Sequence, residues 1–196
     1  AFYTMGFALA LQLGDPIGDD VVKRGGGALA AFALVHGSHE WFEMFLIIQT
    51  HVYGYEPSLA VQVGRLVALV VSFGALCVAG CHLLCWKIRG RQQRLAPYLF
   101  ALFLAGLLLI GRRLWPDFEA LIVAGDAWAR YSLGVTGAVL TGVGLLSRAR
   151  DYRGSDLRIA RGLAVAGAAL ALYGLAGQTA APRSALLPST VYSAEG

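Results

Sequence analysis

The chain has 196 residues, of which 57% are hydrophobic and only 14% charged, with a formal net charge of +4 and a mean hydropathy of +0.62. An average soluble domain carries roughly 25% charged residues, so a water-soluble fold of this length has no way to hide so much apolar surface. The basic residues lie between apolar stretches rather than in a cluster, which excludes a nucleic-acid surface. The expectation is therefore an all-α, polytopic integral membrane helix bundle whose outer faces are solvated by lipid.

A span needs about 20 mostly apolar residues, and the chain offers about six. The first, Ala1 to Leu13, is short. A polar link, Gly14 to Gly26, holds Asp15, Asp19, Asp20, Lys23 and Arg24. The second span runs from Gly27 to Gln49, and the link His51 to Ser58 lacks Lys and Arg. The third runs from Leu59 to Trp86 and is followed by the basic link Lys87 to Arg91, with Arg94 beyond it. Pro97 suits the first turn of the fourth span, where a missing N–H is harmless; that span ends near Arg112 and Arg113. The connection Leu114 to Asp126 carries Trp115 and Pro116, with Trp128 just beyond, a pattern that fits an interfacial belt. Its middle, Phe118 to Ala124, reads as a short interfacial helix. The fifth span covers Ala127 to Leu146, an arginine-rich link covers Arg148 to Arg161, and the sixth span covers Gly162 to Gln178. Spans five and six are rich in Gly and Ala, which allows close helix approach in lipid. The domain reading is a bundle over 1–178 and an extracytoplasmic tail or linker over 179–196. The apolar opening Ala1-Phe2-Tyr3 gives the expectation of a segment of a longer polypeptide.

Links alternate between the two sides of the membrane. Those after spans one, three and five hold Lys23 and Arg24; Lys87, Arg89, Arg91 and Arg94; and Arg148, Arg150, Arg153, Arg158 and Arg161, which is eleven of the sixteen basic residues. That excess should face the cytoplasm, which places the chain start and the tail on the outer side. The expected surroundings are the bilayer and other membrane chains or a second copy.

The second span contains Phe32-Ala33-Leu34-Val35-His36-Gly37-Ser38-His39-Glu40-Trp41-Phe42-Glu43-Met44-Phe45. An ionisable group at mid-membrane costs a few kcal/mol, so these four must face the bundle interior and find partners. His36, Glu40 and Glu43 share one helix face, and His39 lies one turn before Glu43. Glu43 lies about 9 Å inside the outer end of its span and Arg65 about 10 Å inside the outer end of the next, so an antiparallel neighbour gives a Glu43–Arg65 ion pair that clamps helix register. Three readings apply to His36, His39 and Glu40: a structural hydrogen-bond network, a ligand or proton sensor, or a metal or haem site. Two nitrogens and a carboxylate on one helix suit zinc or iron, although the order differs from the His-Glu-x-x-His of metalloproteases.

Cys77, Cys81, His82 and Cys85 form a second polar group in the third span. Three cysteines on one helix do not make a disulfide framework. Buried Cys acts as a small hydrophobe, with a soft-metal site including His82 as the alternative. Pairing His36 with His82 across a b-type haem meets an estimated depth difference of about 5 Å. No nucleophile–base constellation is visible.

The run Phe32 to Phe45 resembles the His-Gly-x-His-Glu-Trp-x-Glu-x-Phe signature in the multispan amino-terminal sensory regions of bacterial sensor histidine kinases and some diguanylate cyclases. The resemblance extends over the span order and includes the Leu187-Pro188 tail. It implies a membrane-embedded signal-transduction input module, with ligand or proton sensing at His36, His39, Glu40, Trp41 and Glu43, and no catalysis by this chain. The alternative of a different class is a haem- or metal-binding electron-transfer subunit, or a structural subunit, of a larger membrane complex.

Overall fold

The computed structural model describes residues 2–12, 20–84 and 92–177, and among them the secondary structure is entirely helical. The elements are α1 (Phe2–Gln12), α2 (Asp20–Tyr53), α3 (Leu59–Leu84), α4 (Gln92–Leu114), α5 (Phe118–Ala129), α6 (Thr136–Tyr152) and α7 (Leu157–Leu172). A π-helical segment, Arg130–Val135, joins α5 to α6 without a break, and a second, Tyr173–Gly177, continues α7. Six rods result. The expected Cys85, the link Lys87 to Arg91 and the tail 179–196 lie outside the described residues.

Helix ends follow local chemistry. Asp117 caps α5 by accepting from the Ala120 N–H at 3.0 Å. Asp156 caps α7 by accepting from Arg158 and Ile159. Such caps satisfy N–H groups that the helix itself leaves unpaired. α2 stops at Gly54, whose φ of +66° is the left-handed conformation a glycine tolerates best; its N–H bonds back to the Thr50 carbonyl at 3.1 Å.

Consecutive rods run antiparallel. Gly37 of α2 lies against Phe2 and Tyr3, while Gly6 lies against Leu34. Between α2 and α3 the register is set at one end by Arg65 on Glu43, midway by His36 on Ser72, and at the far end by Gly25 against Leu83. Across α4 and α5, Trp128 Nε1 donates to the Phe103 carbonyl at 3.0 Å, and Gly111 faces Leu121. Gly142 of α6 meets Gly167 and Ala171 of α7.

α3 is the hub. It packs against α2 on one side and runs parallel to the α5–α6 rod on the other, with Gly134 on Phe73, Gly137 on Cys77, Gly80 on Leu140 and Gly144 on Leu83. At Gly80, Gly137 and Gly144 the backbones approach closely, while Gly134 makes room for the Phe73 ring, and Thr141 Oγ1 donates to the Leu76 carbonyl at 3.0 Å across the same seam. Phe32, Leu69, Phe73, Leu76, Cys77 and Leu133 fill the core with no exposure.

Among the described residues four helices are long and apolar enough to cross a membrane: Leu59–Leu84, Pro97–Leu114, Phe118–Tyr152 and Leu157–Ala176. Their outer surfaces are apolar. The Pro97–Leu114 helix has 11% of its most apolar window buried, and Leu102, Leu104, Leu108 and Leu109 point outward from it. An apolar cleft of about 630 Å³ lies between α3, α4 and α5, lined by Leu59, Val63, Leu66, Leu107 and Leu121 among others.

Three sequence expectations change. Phe118 to Ala124 is not a separate interfacial helix; Asp117 starts one rod that runs to Tyr152, because no breaker follows and Gly125 packs on Leu66 within it. The fourth helix begins at Gln92, so Pro97 sits inside it rather than in its first turn, at the loss of one backbone bond. The arginine link is shorter than Arg148 to Arg161, since α6 continues to Tyr152 and α7 resumes at Leu157; Arg148 is buried, with Nη1 3.9 Å from Asp151.

Candidate functional site

The site grows from one face of α2. His36 is fully buried and His39 is 3% exposed. Their rings lie parallel, 6.0 Å apart with an interplanar angle of 7°. Phe32 stacks on His36 from the preceding turn, Phe2 of α1 meets it edge-on and Phe73 of α3 tilts against it. The imidazole is thus held by aromatic contact on several sides, which fixes its rotamer.

Both nitrogens of His36 have partners on other helices. Nδ1 is 3.3 Å from Ser72 Oγ of α3. Nε2 is 2.6 Å from the Tyr173 hydroxyl at the start of the second π-helical segment. Ser72 has one hydroxyl proton and donates it to the Leu69 carbonyl at 2.8 Å, so towards His36 it can only accept. This assigns the ring proton to Nδ1 and leaves Nε2 as the lone pair that accepts from Tyr173. His36 is therefore the joint at which α2, α3 and the end of α7 meet.

His39 differs. Neither ring nitrogen makes a hydrogen bond among the described residues, although both are buried; Nε2 lies 3.4 Å from Glu43 Oε1. Buried polar atoms without partners are uncommon and call for a physical reason. Glu40 Oε1 lies 3.5 Å from His36 Nε2. Donor atoms of His36, His39 and Glu40 all fall within 4.8 Å of one another, close enough to hold a metal ion after modest adjustment.

The charged groups around this trio form two clamps. Arg65 Nε and Nη2 donate to the two carboxylate oxygens of Glu43, each at 2.6 Å, a bidentate geometry that fixes both planes. Arg130 Nε donates to Asp126 one turn before it. Glu43, Glu40, Arg130 and Asp126 all act electrostatically on His39. Arg130 also interacts electrostatically with Glu40. With neutral imidazoles the set of three carboxylates and two guanidinia carries one surplus negative charge.

Among the residues singled out from sequence, the structure brings His36, His39, Glu40, Glu43 and Arg65 together and leaves two apart. Trp41 is 62% exposed; five residues past His36 it lies about 140° round the helix, away from the cluster. His82 does not reach His36. The α2–α3 register sets His82 beside Gly25, eleven residues from His36 and hence about 16.5 Å along the axis, more than three times the offset estimated from span ends. Hydropathy boundaries do not mark register; contacts between the helices do. Glu40 is not fully interior: its side chain is 51% exposed, since about 40° of rotation beyond His36 puts it at the edge of the inner face. Cys77 is a buried thiol that donates to the Leu133 carbonyl at 3.3 Å, the behaviour of a small core residue.

Ser72, Tyr173, Asp126 and Arg130 join the site without having been singled out. Each has a weak signal: Ser72 is the hydroxyl midway along an apolar α3, Tyr173 interrupts a Gly/Ala-rich helix, and Asp126 and Arg130 stand at i and i+4 in an apolar rod. Both π-helical segments begin at residues of this cluster, Arg130 and Tyr173, and π turns inside α-helices occur frequently at functional sites. Comparison with protein-family models, with curated proteins and with solved structures gives no match for this chain.

Proposed function

We propose that the chain is a membrane-embedded sensory input module of a bacterial signalling protein, residing in the inner membrane with six crossings and with its start and tail on the outer side. The observation that carries this reading is the buried joint at His36, where one imidazole ties α2 to Ser72 of α3 and to Tyr173 after α7. A group bonded to two other rods can shift their packing when its own bonding changes. A stimulus acting there biases the bundle between two packings in proportion to its preference for one of them. Four helices of sufficient length and apolarity support the membrane setting. α1 and α2 complete the six crossings in this reading: the apolar part of α2 pairs with α3 along its length, and its ionisable residues turn mostly inward, as intramembrane charges do. The resemblance of Phe32 to Phe45 to sensory amino-terminal regions supports the same direction.

The test is the output of the intact signalling polypeptide that carries this segment. His36→Phe with His39→Phe should lock the output at one level irrespective of stimulus, with the protein still inserted. Unchanged response in that double variant rejects the reading.

A second reading, a cofactor-binding electron-transfer subunit, is favoured by the proximity of His36, His39 and Glu40 donor atoms. Its haem version through His36 and His82 is opposed by their axial separation. A Soret band in the purified protein would revive it.

A further inference from the structure

We propose that His36, His39 and Glu40 form a site for one divalent transition-metal ion of the zinc class, and that the Tyr173 hydroxyl competes with this ion for Nε2 of His36. The inference rests on the sensory reading only in naming the stimulus; the site itself stands on geometry.

Four observations converge. The three donor groups lie within 4.8 Å of one another. Both nitrogens of His39 are buried and make no hydrogen bond, although Nε2 lies 3.4 Å from Glu43 Oε1, so a ligand atom is in place with no hydrogen bond to give up. The cluster holds three carboxylates, Glu40, Glu43 and Asp126, against two guanidinia, Arg65 and Arg130, and an excess negative charge beside two imidazoles favours a cation. Finally, Ser72 holds the proton of His36 on Nδ1 and turns the Nε2 lone pair towards Glu40. An outer partner that fixes the tautomer of a histidine is the usual support of a metal ligand.

The donor set chooses the metal. Two imidazoles and one carboxylate suit zinc, cobalt or iron(II), and offer too few oxygens for calcium or magnesium. Ligand atoms about 2.0–2.1 Å from a tetrahedral ion stand roughly 3.3 Å apart, so donors up to 4.8 Å apart must close by up to about 1.5 Å. Glu40, half exposed at the edge of α2, is the group free to move and provides the route of entry.

The competition follows from valence. The Nε2 lone pair accepts one partner, either the Tyr173 proton at 2.6 Å or a metal ion. Binding the ion therefore breaks the Tyr173–His36 bond, one tie between the π-helical end of α7 and α2. A metal signal becomes a change in helix contact.

The test uses the purified chain in detergent micelles, carried on a tag without histidine and stripped with a chelator. Cobalt(II) is titrated and followed by its visible ligand-field bands, and zinc is then used to displace it. The expected result is one ion per chain, no competition by calcium or magnesium, and loss of saturable binding in His39→Ala. His51→Ala, on the exposed end of α2, should bind as the parent does. Tyr173→Phe removes the competitor and should bind about tenfold tighter, the equivalent of one hydrogen bond. Ser72→Ala should bind about 10- to 100-fold more weakly through loss of ring orientation. Absence of a saturable site in the folded parent overturns the site, as does retention of binding in His39→Ala. Tyr173→Phe binding no tighter than the parent overturns the competition. If His39→Ala does not fold, Tyr173→Phe and Ser72→Ala carry the decision. Binding is read without any signalling output, so a metal-free protein whose output still depends on His36 separates failure of this inference from failure of the sensory reading.

Discussion

Replacing Gly142 with Ala should separate α6 from α7, and the cost can be worked from the approach distances. A Cβ at Gly142 would stand 2.7 Å from the Gly167 carbonyl oxygen, 3.0 Å from Ala171 Cβ and 3.2 Å from Ala171 N. Ordinary contact begins near 3.4 Å, so the deficit is about 0.7 Å, and the obstructing atom belongs to backbone, which cannot rotate aside. The helices must part, at an overpacking cost of about 1–3 kcal/mol. Alanine also gains up to about 1 kcal/mol of helix propensity over glycine, which would mask part of the loss. Gly162→Ala removes that ambiguity, because Gly162 lies on the same helix pair with nothing within 4 Å of its Cβ position. The propensity gain is common to both variants, and the difference between them isolates the steric term. Unfolding in detergent, followed by far-ultraviolet circular dichroism against denaturant, should place Gly142→Ala about 1–3 kcal/mol below Gly162→Ala. Equal stabilities would refute the close-packing argument. Because α7 leads directly to Tyr173, the same substitution should also weaken the Tyr173–His36 contact.

Three further outcomes are expected. Glu43→Leu or Arg65→Leu alone should each cost about 2–3 kcal/mol, less than a fully buried pair because Arg65 is 31% exposed; combining the two should recover most of it, and additive losses in the double-mutant cycle would show that the pair is not coupled. Thr141→Val keeps shape but removes the bond to the Leu76 carbonyl, with a loss of about 0.5–1.5 kcal/mol in the same unfolding assay; no loss would mean that the bond is not net stabilising. A reporter inserted at Gly154, in the exposed turn between α6 and α7, should be cytoplasmic, and one at Glu56, between α2 and α3, extracytoplasmic. Both reporters on one side would reject the six-crossing orientation.

The sequence by itself determined the helical class, the position of most rods and the polar stripe of α2. Apolar run length, capping residues and the placement of His36, His39, Glu40 and Glu43 are local properties, written along one dimension. Even the meeting of Glu43 with Arg65 was legible, because both lie a similar distance from the same short link and an antiparallel neighbour must align them. What the tertiary structure alone decided is which residues face one another across helices. That depends on rotation about each axis and on register, and neither is encoded in hydropathy. Rotation turned Trp41 outward and left Glu40 at an edge. Register, fixed by glycine contacts between α2 and α3, carried His82 away from His36. Tyr173 arrives from a helix 137 residues further along the chain, and Asp126 and Arg130 from a rod that packs mainly on the hub α3. A buried polar joint is assembled from such distant pieces because each lone polar group in an apolar bundle needs a partner, and only the packed fold determines which one it finds.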